Sequence, residues 1–203
     1  GTYFGNNGTN YASWNWKAGN SQGSSNTDGS INTTYTSVST TSGFSISQYT
    51  GTGSNATVGH GLGVAPKFIF TKCTSHTSDW MVYYGDATDF LKLNENNATE
   101  DLNTVWNDTA PTNSVFSLGS NGDVNTSGRT YIAYCFAEKT GFSKVGKYVG
   151  NGSADGTFVY TGFKPAFTIL KRTDATGSWI LVDNKRDTFN VAGKILFSAD
   201  SGA

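Results

Sequence analysis

Catalysis usually needs a nucleophile, a base or a metal set, and this 203-residue chain offers few residues of those kinds. His60 and His76 are its two histidines. His60 sits in "VGHGLG", a turn-like run that predicts a hydrogen-bonding loop residue rather than a general base. Cys73 and Cys135 lack a Cys-x-x-Cys spacing or a nearby pair of histidines, so they form no zinc framework. They read as a disulfide pair or as two small buried apolar residues. Glycoside hydrolysis requires two carboxylates facing across a cleft. Glu95, Glu100, Asp101 and Asp108 fall in a polar connection and suggest no such pair. The runs "GTGSNATVG" and "GNGSADGTF" lack the Lys-Ser/Thr ending of a phosphate loop and predict turns. The clusters at 120–128 ("SNGDVNTSG") and 182–187 ("VDNKRD") could offer oxygen ligands to calcium, but side-chain turns explain them as well. A chain built this way is expected to be no enzyme and to need no cofactor.

Binding chemistry is better represented. Tyr83, Tyr84 and Trp106 are types that stack on sugars, and the Asn-rich loops could hydrogen-bond to hydroxyls, so a surface glycan is one candidate partner. The other reading packs these rings into the fold or against a neighbouring subunit. With 14 Lys+Arg against 15 Asp+Glu, the net charge of −1 supplies no field to recruit nucleic acid or an acidic membrane. No run approaches the ~20 apolar residues of a membrane-spanning helix, and the N-terminus lacks a basic-then-apolar signal segment.

The elements that carry these residues are short. Charged residues make up 14%, against about 25% in an average domain. Apolar runs of a few residues alternate with Gly, Asn, Ser and Asp clusters, which predicts an all-β fold of many strands joined by turns.

An internal repeat organises them. With one residue inserted before the Tyr, "GFSISQYTGTGSNATVGHGLGVAPKFIFTKCTSHTSDWMVYY" (43–84) aligns with "GFSKVGKYVGNGSADGTFVYTGFKPAFTILKRTDATGSWILVD" (141–183). At a constant offset of 99, Tyr49 matches Tyr148, Pro66 Pro165, Phe68 Phe167, Lys72 Lys171 and Trp80 Trp179, with four Gly and Ser matches besides. These types have structural readings. Gly-x-Gly supplies a tight turn, Pro opens the strands "PKFIFTK" and "PAFTILK", and Trp80 and Trp179 begin the next strand as core anchors.

The first copy continues through "FLKL", a polar stretch with at most one helical turn near 101–105, "SVFSL" and "YIAYCFAE", so residues 43–140 read as one complete β-module. The second, from 141 to 203, contains nothing that matches the last strands of the first. Residues 1–19 supply the complementary piece, because "YASWNWKAGN" resembles "YIAYCFAEKT". Residues 20–42, low in apolar side chains, read as a linker arm. Half a β-module leaves a core open and an edge unpaired. Either the chain belongs to a longer tandem array, or the segment around Tyr11, Trp14 and Trp16 completes the second module of another copy by strand addition. Such a contact is head to tail and builds a filament.

Four stretches, "TDGSI", "GFSISQYTGTGSNATVGHGLGVAPKFIF", "YIAYCFAEKTGFSKVGKYVGNGSADG" and "FVYTGFKPAFTILKRTDATGSWILVDNKRD", carry a family resemblance. They resemble the tandem β-module of uncharacterised function found in tail-fibre-like and virion-associated proteins of aquatic bacteriophages. The resemblance implies a structural protein at the virion surface or outside the cell, and no catalytic residues. The expectation is therefore tandem β-sandwich modules, jelly-roll-like or flattened barrels, in a fibre subunit whose partners are copies of itself. A glycan-binding tail-fibre module is the alternative.

Overall fold

The computed structural model describes residues 7–188 and 193–198. It is nearly all β. The strands are β1 (Tyr35–Ser39), β2 (Phe44–Thr50), β3 (Ala56–Gly59), β4 (Phe68–Cys73), β5 (Trp80–Tyr83), β6 (Asp89–Lys92), β7 (Glu100–Asp101), β8 (Val115–Leu118), β9 (Thr130–Phe136), β10 (Phe167–Leu170), β11 (Ile180–Asp183) and β12 (Leu196–Phe197). Two single helical turns, α1 (Asn103–Trp106) and α2 (Gly122–Asn125), lie between β7 and β9. The first is the turn predicted near 101–105.

A large antiparallel sheet takes the order β1-β2-β9-β4-β5-β6-β7, and β3 pairs with β8 in a small second layer. Side chains of a strand alternate between faces, and β9 shows it: Tyr131, Ala133 and Cys135 are buried, whereas Ile132, Tyr134 and Phe136 on the other face are half-buried. The inward residues Tyr49, Ile69, Met81, Tyr83, Phe90 and Tyr131 meet Val58, Phe116 and Leu118 from the small layer. The connections add Leu62, Val105, Trp106 and Val124 to this core. This is the sandwich-like module expected from the first repeat copy.

Its lower boundary differs from the expected one. Residues 20–42 are not a free arm, because Tyr35–Ser39 forms β1 along β2 and Ile31 bridges to Val58. The segment carries few apolar side chains because hydroxyls do part of the interior work. Thr33 Oγ1 lies 2.9 Å from Thr36 Oγ1, which lies 3.1 Å from Ser47 Oγ, and Ser47 donates to Gly59 O at 3.0 Å. A buried hydroxyl costs little when it is hydrogen-bonded this way, and counting apolar side chains misses it.

Register also decides the cysteines. Ile69 lies opposite Cys135 and Cys73 opposite Tyr131, so the two thiols are four rows apart along neighbouring strands. At about 3.3 Å per row, that exceeds the 4.4–6.8 Å Cα separation of a disulfide. Both are free and buried, and burial pushes the Cys135 thiol up to about 12.

Strands β10, β11 and β12 form a separate antiparallel sheet in that order. The repeat is visible in its register. Ile69 pairs with Tyr83 in the first module, and Thr168, 99 residues after Ile69, pairs with Val182, 99 residues after Tyr83. The third strand keeps the pattern after a longer loop: Met81 pairs with Lys92, and Ile180 with Phe197.

The two sheets pack back to back. Trp179 is buried against Val82 and Leu91, with its ring 6.4 Å from Phe68, and its Nε1–H donates to Lys92 O at 2.8 Å. Backbone bonds from Thr99 N to Thr173 O and from Gly177 N to Asn96 O close the contact. Trp179 is thus buried between the two sheets. Trp80 is not: it lies on the outer face of its sheet, half-buried and stacked on Tyr134 at 6.2 Å and 25°. The side chain at position 80 points away from the β3–β8 layer because its strand neighbours Met81 and Tyr83 take the inward positions.

Candidate assembly interface

Strand β4 is paired on both edges, with β9 on one and β5 on the other. Its repeat counterpart β10 pairs with β11 alone among the described residues. The free edge of β10 is therefore the place that β9 occupies in the first module.

Residues 10–16 enter no sheet and lie against the end of β10 and β11 where Phe167 pairs with Asp183. Together with Ala166, Phe167, Leu196 and the turn after β11, they line a groove of about 740 Å³. The Trp16 ring stands edge-on to Phe167 at 5.4 Å and to Phe136 at 6.1 Å, so it lodges between the two modules. The Trp14 ring lies 5.5 Å from Phe167, and its Nε1–H donates to Asp183 Oδ2 at 3.2 Å. These are tilted and edge-to-face geometries, which suit the quadrupoles of the rings.

A polar clamp seats Trp14. Arg186 donates from Nε to Asp183 Oδ2 at 2.6 Å and carries its guanidinium over the Trp14 ring at 5.5 Å. Asp183 Oδ1 accepts the backbone N–H groups of Lys185 and Arg186 at 2.9 and 2.8 Å. These bonds, led by that from the Arg186 side chain and then its backbone N–H, hold the carboxyl well below the usual carboxylate range. The clamp comes from "VDNKRD", which the composition alone presented as a possible calcium loop. An Asp followed three residues later by Arg at a strand end is the signal that identifies it.

The rest of the second module exposes what the first one buries. Tyr49 is fully buried, stacked on Tyr131 at 5.4 Å and 15°, and its hydroxyl donates to Val124 O at 2.8 Å. Its counterpart Tyr148 is 52% exposed, with Val149 at 85% and Phe158 at 87%. Pro66 is buried, while Pro165 is exposed; Phe68 and Phe167 are both half-buried. The difference follows from the partners: Phe116, Val124 and Tyr131 all belong to the part of the first module that 141–203 does not repeat.

Other predicted sites are placed elsewhere. Tyr83 and Trp106 are 4% and 2% exposed and pack against each other at 6.0 Å in the core. They present no ring face to a glycan, because the alternation of β5 turns Tyr83 inward and α1 buries Trp106 beneath it. Tyr84 is half-buried, donates to Asp89 Oδ2 at 3.0 Å and lies under Lys147 at 4.8 Å. His60 is buried: Leu62 N–H donates to its Nδ1 at 3.1 Å, so its Nε2 carries the proton that it gives to Thr112 O at 3.2 Å. Burial lowers its pKa. The Asn97 amide bridges Glu95 and Glu100, at 3.0 and 3.4 Å. In the cluster at 120–128, Asn121 Oδ1 accepts the Asp123 N–H at 2.8 Å and so caps α2.

No curated protein and no solved structure matches the chain. One family model spans both repeat copies and the segment before them, and by this match over residues 2–203 the chain belongs to the family of the domain of unknown function DUF7483.

Proposed function

We propose that this protein is a non-enzymatic structural subunit that associates head to tail. The segment around Tyr11–Lys17 of one copy covers the free β10 edge of the next. The observation that carries this reading is the seating of Trp14 and Trp16 on Phe167, beside an edge whose counterpart in the first module is filled by β9. Within one chain the segment reaches its own module, and a contact made through a tether can be exchanged between copies, as in domain swapping. The interface joins two different surfaces, so repetition without ring closure yields a filament. The resemblance to phage tail-fibre-like modules supplies the setting, a virion-associated or extracellular fibre.

Glycan binding is the second reading, and the half-exposed Trp80–Tyr134 stack is the ring surface that favours it. One experiment separates the two. The full chain and a variant lacking residues 1–19 are compared by sedimentation and electron microscopy. The full chain is expected to form concentration-dependent polymers, and the shortened one to stay monomeric. Identical polymers without residues 1–19 would sink the assembly reading. Monomers of either protein that bind a glycan array, and lose binding on Trp80→Ala, would establish the other.

A further inference from the structure

The repeat specifies how the second module is completed in more detail than the seating of two tryptophans. In the first module β9 is held on both edges. Along β2 the pairs are Phe44 with Phe136, Ser47 with Ala133 and Tyr49 with Tyr131; along β4, Phe68 lies opposite Phe136. Each of these residues has a counterpart. Phe44, Ser47 and Tyr49 correspond to Phe142, Gly146 and Tyr148, with the inserted residue between the first two, and Phe68 corresponds to Phe167. Tyr131, Ala133 and Phe136 correspond to Tyr11, Ser13 and Trp16.

We infer that Tyr11–Trp16 completes the second module as a strand gripped on both edges, by β10 on one side and residues 142–149 on the other. Tyr11 then lies opposite Tyr148, Ser13 opposite Gly146, and Trp16 between Phe142 and Phe167. The inference depends on the proposed assembly only for which copy supplies the strand.

Three observations support this register. The Trp16–Phe167 ring contact, at 5.4 Å, already reproduces the Phe68–Phe136 contact at 6.2 Å. Phe142 lines a groove of about 800 Å³ with Lys17–Asn20, so the 142–149 arm begins beside the end of the segment it is to pair with. Farther along, Tyr148 and Val149 stand 52% and 85% exposed, apolar groups that a ladder would cover. The contacts that hold the arm away are local and few: Lys147 meets Asp86 at 3.5 Å and lies over Tyr84, Glu138 takes Lys144 at 3.2 Å and the Val145 N–H at 3.1 Å, and the Thr157 hydroxyl donates to Val149 O at 2.6 Å. The two ion pairs, on exposed lysines, are of the kind that contributes little. The inserted residue between 142 and 146 is accommodated as a β-bulge, which places two residues of one strand opposite one of its partner.

The test is disulfide trapping in the full chain. Directly opposed residues of antiparallel strands have Cα separations of about 4.5–5.5 Å, within disulfide range. Ser13 and Gly146 are exposed, and a Cβ on Gly146 meets no atom within 4 Å, so Ser13→Cys with Gly146→Cys leaves the first module intact. The native thiols are buried. Under mild oxidation this pair is expected to cross-link several-fold more than Ser13→Cys with Lys147→Cys, whose side chains would leave opposite faces. Equal yields from the two pairs, or none from the first, would refute the register. Mixing the two single-cysteine variants assigns the copy. Links between chains support both proposals, whereas links confined to one chain keep the register and refute head-to-tail exchange. Polymers that persist with no 13–146 link refute the register alone.

Discussion

Tyr49 and Tyr148 occupy one position of the repeat in two environments, and substituting each by alanine measures that difference. Tyr49 is fully buried between Phe116, at 6.3 Å, and Tyr131, and its hydroxyl meets Val124 O. Removing about 150–200 Å² of buried side chain at about 25 cal/mol per Å² costs about 4–5 kcal/mol, in line with the about 3–5 kcal/mol of large aromatic-to-alanine changes in cores. For a protein of this size each kcal/mol lowers Tm by about 2–4 °C, so Tyr49→Ala should lower it by about 8–20 °C. Tyr148 is 52% exposed, so Tyr148→Ala should stay within about 0.5 kcal/mol of the parent in dilute, monomeric solution. Calorimetry or urea unfolding followed by tryptophan fluorescence reads both values. If Tyr148→Ala costs as much as Tyr49→Ala in the monomer, the second module is closed within a single chain. The reasoning from the open edge would then be wrong.

Two further outcomes follow from the first module. The folded state keeps His60 neutral, with a pKa below the unfolded value of about 6.5, so the unfolded chain binds the extra proton. Stability should be full above that pH and fall below it, by up to about 1.4 kcal/mol per pH unit until His60 also titrates in the fold, and urea midpoints in His60→Gln should lack this slope. Asn125 is fully buried, accepts Thr52 N–H at 2.8 Å and donates to Ser54 O and Gly119 O at 2.6 and 2.8 Å. Asn125→Ala strands the buried Gly119 O and removes the partner of the Thr52 N–H, while Ser54 O keeps the Thr52 hydroxyl at 3.1 Å, and should cost about 2 kcal/mol, read as a drop in urea midpoint at unchanged slope.

Much of this architecture was legible in the residues. Gly-bounded apolar runs mark β4, β5, β8 and β9, and the repeat offset carries over to the register of β10 with β11. Strand β1 escaped because it turns only Val38 and Thr36 inward, and the burial of Thr36 depends on its hydroxyl partner Ser47 from β2. The role of Trp80 escaped for another reason. Position 80 is Trp in one copy and its counterpart 179 is Trp in the other, yet one faces outward onto Tyr134 and the other is sealed between sheets.

Sequence alone determines the strand content, the 99-residue repeat and the kinship of "YASWNWKAGN" to the closing strand of a module, because these depend on local patterning and turn chemistry. Which residues face each other is a property of the folded chain. Packing of the two sheets buries Trp179 and brings Trp16 between Phe136 and Phe167, and packing of the first module around the β3–β8 layer and α1 turns Tyr83 and Trp106 from candidate platforms into core. Such contacts join residues far apart in the chain, up to the 169 positions between Trp14 and Asp183, and no short-range preference encodes them.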